Sequence, residues 1–102
     1  MLTFYVEDQS HGRIRTFSDD PRNSFLQVAR RAAASGSAVL DAVDAYSDSM
    51  LNFKQLEQLV EELGSLLGDS TLSSAERRKV SEVRDAAVEA RGLSGYLFIE
   101  GD

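Results

Sequence analysis

The sequence predicts an α+β fold, in which a small three-stranded sheet is packed by two or three helices. Three observations predict it: alternating apolar residues at the start of the chain, a β-rich apolar run at its end, and apolar residues at helical spacing in between. The sheet would combine an N-terminal hairpin with the C-terminal strand. Because 102 residues is a usual size for one domain, we expect residues 1–102 to form a single α+β domain.

The N-terminal hairpin is predicted from two alternating segments. Apolar residues occupy every second position of the first strand: Leu2, Phe4 and Val6. The polar stretch 7–12 predicts a turn, and residues 13–17 alternate again. Arg13 and Arg15 are expected on the same face, which would place the second strand near an edge of the sheet.

Two helices are predicted in the first two thirds of the chain. Asp20 followed by Pro21 is typical of a helix start, and Gly36 is placed to end that first helix. Asn52 predicts the N-cap of a second helix that ends at Gly68. Its apolar stripe has spacings of three and four: Phe53, Leu56, Val60, Leu63 and Leu67. Residues 37–50 fit either a helix or an extended segment, and the sequence leaves both open.

The third helix is predicted from a capping box, in which Ser73 and Glu76 satisfy each other's backbone amides, and it runs to about Arg91. Its apolar face is thin, so we expect this helix over the surface of the bundle: Val80, Val83, Ala87 and Ala90. Arg77, Arg84 and Arg91 are spaced by seven, and salt bridges with neighbouring acids are expected there rather than anion binding. Residues 96–99 then predict the C-terminal strand, apolar on both faces.

The composition excludes several kinds of site. The chain has no cysteine, which excludes disulfides, thiolate catalysis and zinc sites built on sulfur, and favours the cytoplasm. It contains no phosphate loop, dinucleotide fingerprint or HExxH helix, so no cofactor is predicted. The apolar run at the start is too short for a signal peptide or a membrane span, and no membrane association is expected.

Negative charge is concentrated in the middle third of the chain. Residues 37–69 hold seven acidic residues against Lys54 alone, so this segment carries a charge equal to the whole net charge of −6. This balance disfavours nucleic acid, which attracts clustered Lys and Arg, and favours a basic protein partner. Five residues are expected to form the docking surface: Asp41, Asp44, Asp48, Glu57 and Glu61. The alternative is a solvated face that keeps the protein soluble.

An enzyme is the alternative to a binding protein. Asp41, Asp44 and Asp48, with the single histidine His11, would supply a carboxylate- or metal-dependent hydrolase. The aspartates lack the Gly and the closing Glu of a calcium loop, however. His11 lies in a predicted Ser-His-Gly turn, where no partner is visible in the sequence. No catalytic or metal site is therefore predicted.

Two segments resemble a group of short uncharacterised bacterial proteins. They are residues 44–52, DAYSDSMLN, followed by a Gln-containing helix, and the tail at residues 96–102, YLFIEGD. The pattern of the group is roughly Asp-Pro-Tyr-Gly-Asp-Thr-x-Phe-Asn. This chain has Ala45, Ser47, Ser49 and Leu51 at the Pro, Gly, Thr and Phe positions. The resemblance implies a bacterial protein and no particular activity.

The sequence thus predicts a non-catalytic bacterial cytosolic protein-binding domain. Its size and charge are those of an immunity or antitoxin-like protein, by analogy. It would present an acidic surface to a basic partner, without nucleic acid, membrane or cofactor. Two alternatives stay open: the small hydrolase, and a homodimeric structural protein.

Overall fold

In the computed structural model, which describes residues 1–36, 40 and 48–101, helices cover one face of an antiparallel sheet. The elements are β1 (Thr3–Glu7), β2 (Arg13–Ser18), α1 (Ser24–Ala34), β3 (Ser49–Leu51), α2 (Phe53–Leu67), α3 (Ser74–Gly92) and β4 (Tyr96–Glu100). The strand order is β2-β1-β4-β3. The α+β class, the hairpin and the pairing of the first and last strands are confirmed, but the sheet has four strands rather than three.

The additional strand comes from the segment whose structure the sequence left open. Met50 pairs with Phe98 and Leu51 with Leu97, so β3 extends the sheet beyond β4. Leu51 is buried against the helices, whereas Met50 is exposed on the other face. A three-residue strand is too short to show a period, which explains why the pattern did not predict it. Residues 37–39 and 41–47 lie outside the described residues.

The expectation that Arg13 and Arg15 share a face is wrong. The register between β1 and β2 shifts between Val6 and Glu7, where β2 carries a bulge. Arg15 pairs with Glu89 of α3 at 2.9 Å, on the helix side. Arg13 instead lies 3.8 Å above the ring of Tyr5, on the opposite side. The bulge therefore turns one arginine to each face, while the edge position of β2 is as expected.

Helix α1 begins at Ser24, later than Asp20-Pro21 suggests, and two aspartates from outside the helix cap it. Its N-cap Asn23 has φ 55° and makes no side-chain cap bond. The buried Asp19 carboxylate accepts the amides of Phe25 and Leu26 at 3.0 and 3.1 Å. Asp20 accepts the amide of Ser24 at 2.9 Å and its hydroxyl at 2.6 Å, and these bonds lower the pKa of Asp20. At the other end Gly36 adopts φ 100°, the left-handed conformation expected after a helix.

Helix α2 begins at the predicted N-cap Asn52, which proves to be part of a capping box, and α3 begins at the predicted capping box of Ser73 and Glu76. Asn52 and Gln55 bond reciprocally at the start of α2, as do Ser73 and Glu76 at the start of α3. On α2, Leu56, Leu59 and Leu63 are fully buried, and Val60, Leu66 and Leu67 are partly buried. None of the helices in the described ranges is long and apolar enough to cross a membrane.

The expectation that α3 lies over the surface is also wrong. Five of its residues are fully buried: Val80, Val83, Ala86, Ala87 and Ala90. The helix contacts α1, α2 and strands β1 and β4, so it lies at the centre of the helical layer. Alanine has almost no side chain to hold a helix away from a sheet, and a thin apolar stripe therefore still makes a close-packed contact.

The three arginines spaced by seven lie along the contact between α2 and α3. Arg77 donates to the carbonyls of Leu67 and Asp69 at the end of α2. Arg84 lies beside Gly64, and the guanidinium of Arg91 lies 5.8 Å from the Phe53 ring near the start of α2. Within residues 1–36, 40 and 48–101, these arginines thus contact α2 and make none of the salt bridges that the sequence led us to expect.

Candidate functional site

A groove runs between α1 and α2, because both helices flank the central α3 and leave space between them. One part has a volume of about 520 Å³ and lies between the C-terminal halves of the two helices. The adjoining part has a volume of about 680 Å³ and extends along α2 to Lys54. Ser35, Glu61 and Glu62 line both parts, so the two form one continuous groove, which we call the α1–α2 groove.

The floor of the α1–α2 groove is apolar. Its apolar lining comes from α1, from α2 and from the segment before α3: Val28, Ala32, Leu66 and Leu72. Val28, Ala32 and Leu72 belong to the buried core, and Leu66 packs against it. The floor is therefore a rigid surface that can take an apolar side chain out of water.

The rim of the α1–α2 groove is acidic. Glu57 and Glu61, four residues apart on α2, are exposed on the same helix face. Glu62 and Asp69 also line the groove, and Glu62 Oε1 accepts the amide of Leu40 at 3.3 Å. Hydrogen bonds from the amide and hydroxyl of Thr71 lower the pKa of Asp69 below its ordinary value.

Arg31 and Lys54 are the basic residues among those that line the described groove. Arg31 is ion-paired with Glu76 of α3 at 2.9 Å. The bond raises the pKa of Arg31 and lowers the pKa of Glu76, so both groups stay charged and compensate each other. Without Glu62, the other three carboxylates of the described lining still exceed its other cation, Lys54, so this described lining is negative at pH 7.

The structure places the five predicted docking residues differently. Glu57 and Glu61 line the α1–α2 groove together. Asp48 is exposed beside β3, where its carboxylate accepts the amide of Gly101 at 3.0 Å, and it does not line the groove. Asp41 and Asp44 lie outside the described residues. Sequence reasoning missed Asp69 and Arg31 as groove residues, because only the packing of α1 and α2 beside α3 brings these two together.

A second polar cluster lies at the tip of the hairpin. His11, with φ 63°, is in the predicted turn, and its Nδ1 lies 3.0 Å from Oε1 of the buried Glu7. Arg13 Nε lies 3.7 Å from the other carboxylate oxygen, and the His11 ring stacks on Tyr96 at 4.4 Å. The cluster ties the turn to the first residue of β4, so its role in the fold is to anchor the hairpin.

The arrangement gives little support to a hydrolase. His11 contacts Tyr96 at the start of β4, whereas Asp48 bonds to Gly101 just after the end of β4, so these two residues lie at opposite ends of that strand. Among the described residues, no group of three or more His, Asp or Glu side chains could hold a metal ion. Comparisons with protein-family models, curated proteins and solved structures found no match.

Proposed function

We propose that this chain is a bacterial cytosolic protein-binding domain whose α1–α2 groove receives a basic, amphipathic segment of a partner protein. One observation supports this most directly: an apolar floor bordered by carboxylates from α2 and the segment after it. An amphipathic helix docks in such a groove with apolar side chains on the floor and charged side chains at the rim. The partner's Lys and Arg would face Glu57, Glu61 and Asp69.

The chemistry of the groove favours a protein segment over nucleic acid or a small anion. Nucleic acid binding draws most of its affinity from Lys and Arg contacts with phosphates, and the rim has the opposite charge. A basic segment gains affinity from apolar burial and association rate from the charges. A protein of the immunity or antitoxin kind, which neutralises a basic partner, would act through such a surface.

The test is to select 15-residue peptides that bind the full chain from a displayed random library. We expect the selected peptides to carry Lys or Arg on one face of a helical pattern and apolar residues on the other. A Glu57→Gln, Glu61→Gln double variant should associate with them about 10-fold more slowly at 0.05 M salt, and the difference should shrink at 0.5 M, because salt screens the attraction.

A matched control carries Glu82→Gln and Asp85→Asn, two acidic residues on α3 outside the groove. It removes the same charge from the molecule and should associate with the peptides at nearly the parent rate. Peptides without basic residues, or equal slowing of both double variants, would refute the groove as the docking site. Thermal unfolding of each variant checks that the fold is retained.

A further inference from the structure

In the part of the chain that the structure describes, no helix covers the second face of the sheet, which carries aromatic and apolar side chains together with polar ones. Among the described residues, all three helices pack on the face that carries Phe4, Leu97 and Leu51. The other face has one row of paired residues across all four strands: Thr16, Tyr5, Phe98 and Met50. Met50 is 45% exposed. We call these residues, with Arg13 and Glu100, the open face.

The side chains of the open face are those found at the centres of protein interfaces. Aromatic residues, Met and Arg are enriched there relative to the rest of the surface. The Tyr5 and Phe98 rings lie side by side on the two central strands, with their centroids 5.8 Å apart. Apolar and aromatic groups spread over a continuous sheet face, rather than scattered singly, indicate a surface that is covered in use.

Opposite charges flank the aromatic centre of this face. The guanidinium of Arg13 lies 3.8 Å above the Tyr5 ring, and the hydroxyl of Tyr5 donates to Glu100 at 3.3 Å. Arg13 pairs in register with Glu7 at one end of β1, and Glu100 pairs with Thr3 at the other end. Although their backbones are at opposite ends of the strands, the cation and the carboxylate both contact the Tyr5 side chain, the cation above its ring and the carboxylate at its hydroxyl.

We propose that the open face is a homodimer interface, in which Arg13 of each copy pairs with Glu100 of the other across the Tyr5 and Phe98 rings. A two-fold interface brings the same surface together twice, so it needs charges that complement themselves after rotation. Arg13 and Glu100, on either side of the aromatic centre, meet that requirement. A guanidinium carries five N–H donors, and the contact of Arg13 with Glu7 is made through Nε at 3.7 Å.

The distribution of charge explains why a second copy fits although each chain carries −6. The carboxylates of the α1–α2 groove lie in the helical layer, on the far side of the sheet from the open face. Two chains joined through their open faces therefore keep these negative surfaces apart, and salt screens charges beyond about 8 Å at physiological ionic strength. The same arrangement leaves the α1–α2 groove of each copy free. The dimer and the function proposed for the groove can therefore be tested independently.

The dimer should be weak. Four strands about 4.8 Å apart make a sheet roughly 19 Å wide, which is about 17 Å long at the five-residue strands β1 and β4 and about 10 Å long at the three-residue β3. Such a face buries less than the approximately 800 Å² per partner of a standard stable interface. We therefore expect a dissociation constant in the micromolar range, which sets the concentrations to be used.

The test is sedimentation equilibrium of the full chain at concentrations from about 1 μM to 1 mM. The mean mass of the parent should rise from one chain to two. Met50→Lys should raise the dissociation constant at least about 10-fold, because it buries a charge at the interface. Val88→Lys is the matched control: Val88 is 47% exposed, similar to Met50, but lies on α3, and the variant should dimerise as the parent does.

A charge exchange tests the proposed pairing itself. Arg13→Glu and Glu100→Arg should each abolish association, because each places like charges opposite one another. An equimolar mixture of the two variants should dimerise again, since both contacts then join opposite charges. A parent that stays at the mass of one chain at 1 mM overturns the proposal, as do equal effects of Met50→Lys and Val88→Lys or a mixture that stays monomeric. If Arg13→Glu fails to fold, the comparison of Met50→Lys with Val88→Lys still tests whether the open face is the dimer interface.

Discussion

Helices α2 and α3 show that the number of large apolar residues does not decide which helix lies at the centre of a layer. Helix α2 has the strong leucine stripe, yet it lies at the side and contributes its exposed face to a groove. Helix α3 buries two valines and three alanines, and it contacts both other helices and the two central strands. Small side chains let α3 approach the sheet closely, whereas the leucines of α2 fill the space beside it.

The first prediction tests the contribution of the leucines of α2. Leu63→Ala should lower the free energy of unfolding by about 2–5 kcal/mol, because it removes buried methyl groups and leaves a cavity. Leu63 is completely buried, so solvent cannot fill the space without further cost. The measurement is urea unfolding followed by circular dichroism. An unchanged midpoint would mean that α2 is not part of the core.

The second prediction tests whether α3 is held close to its neighbours by small side chains. Ala87→Leu should destabilise the protein by about 1–3 kcal/mol, because the larger side chain must push the helix away from what it packs against. Ala87 is completely buried, whereas its neighbour Val88 is 47% exposed. Val88→Leu is therefore the control, and it should change stability by less than about 0.5 kcal/mol. If Ala87→Leu is tolerated equally well, α3 is not tightly packed.

Local patterns predicted the parts of the fold that local interactions determine. Each of these features depends on neighbours within a few residues: the N-cap Asn52, the capping box of Ser73 and Glu76, the alternation of Leu2, Phe4 and Val6, and the left-handed Gly36. The features that the sequence did not predict depend on long-range packing. The three residues of β3 form a strand only by pairing with β4. Asp19 caps α1 by bonding to an amide six residues further along the chain, and no known sequence motif predicts this bond.

The candidate site follows the same division. The spacing of Glu57 and Glu61 predicts that they share a helix face, and they line one groove. The groove itself has no signal in the sequence, because its walls come from two helices that are positioned by packing on α3 and on the sheet. The open face likewise depends on which strands are neighbours. Its alternation of polar and apolar residues is visible in single strands, but its row of four residues needs the registers of three strand pairs.

The capping boxes of α2 and α3 differ in one group. Their contributions to the stability of the protein should therefore depend differently on pH. The α2 box uses the neutral Gln55, whereas the α3 box uses the carboxylate of Glu76, which is also bonded to Arg31 of α1. The bond with Arg31 and the amide of Ser73 lower the pKa of Glu76 from its ordinary value of 4.5. A carboxyl whose pKa is lower in the folded state stabilises the fold above its unfolded pKa and loses that contribution as pH falls through the folded pKa.

Glu76→Gln should therefore be less stable than the parent at pH 7 by about 1 kcal/mol or less. The variant keeps an oxygen that can cap the helix, but it loses the charge that faces Arg31. As the pH falls from 5 towards 2, the parent should lose this advantage, and the unfolding curves of the two proteins should converge.

Gln55→Glu is the complementary variant, since it introduces a titrating carboxylate into the α2 box. Its stability should gain a pH dependence of the same sign but smaller size, because no arginine is ion-paired at that box in the described structure. A constant difference between parent and Glu76→Gln across this range would show that the α1–α3 contact depends on the shape of the side chain at position 76 and not on its charge.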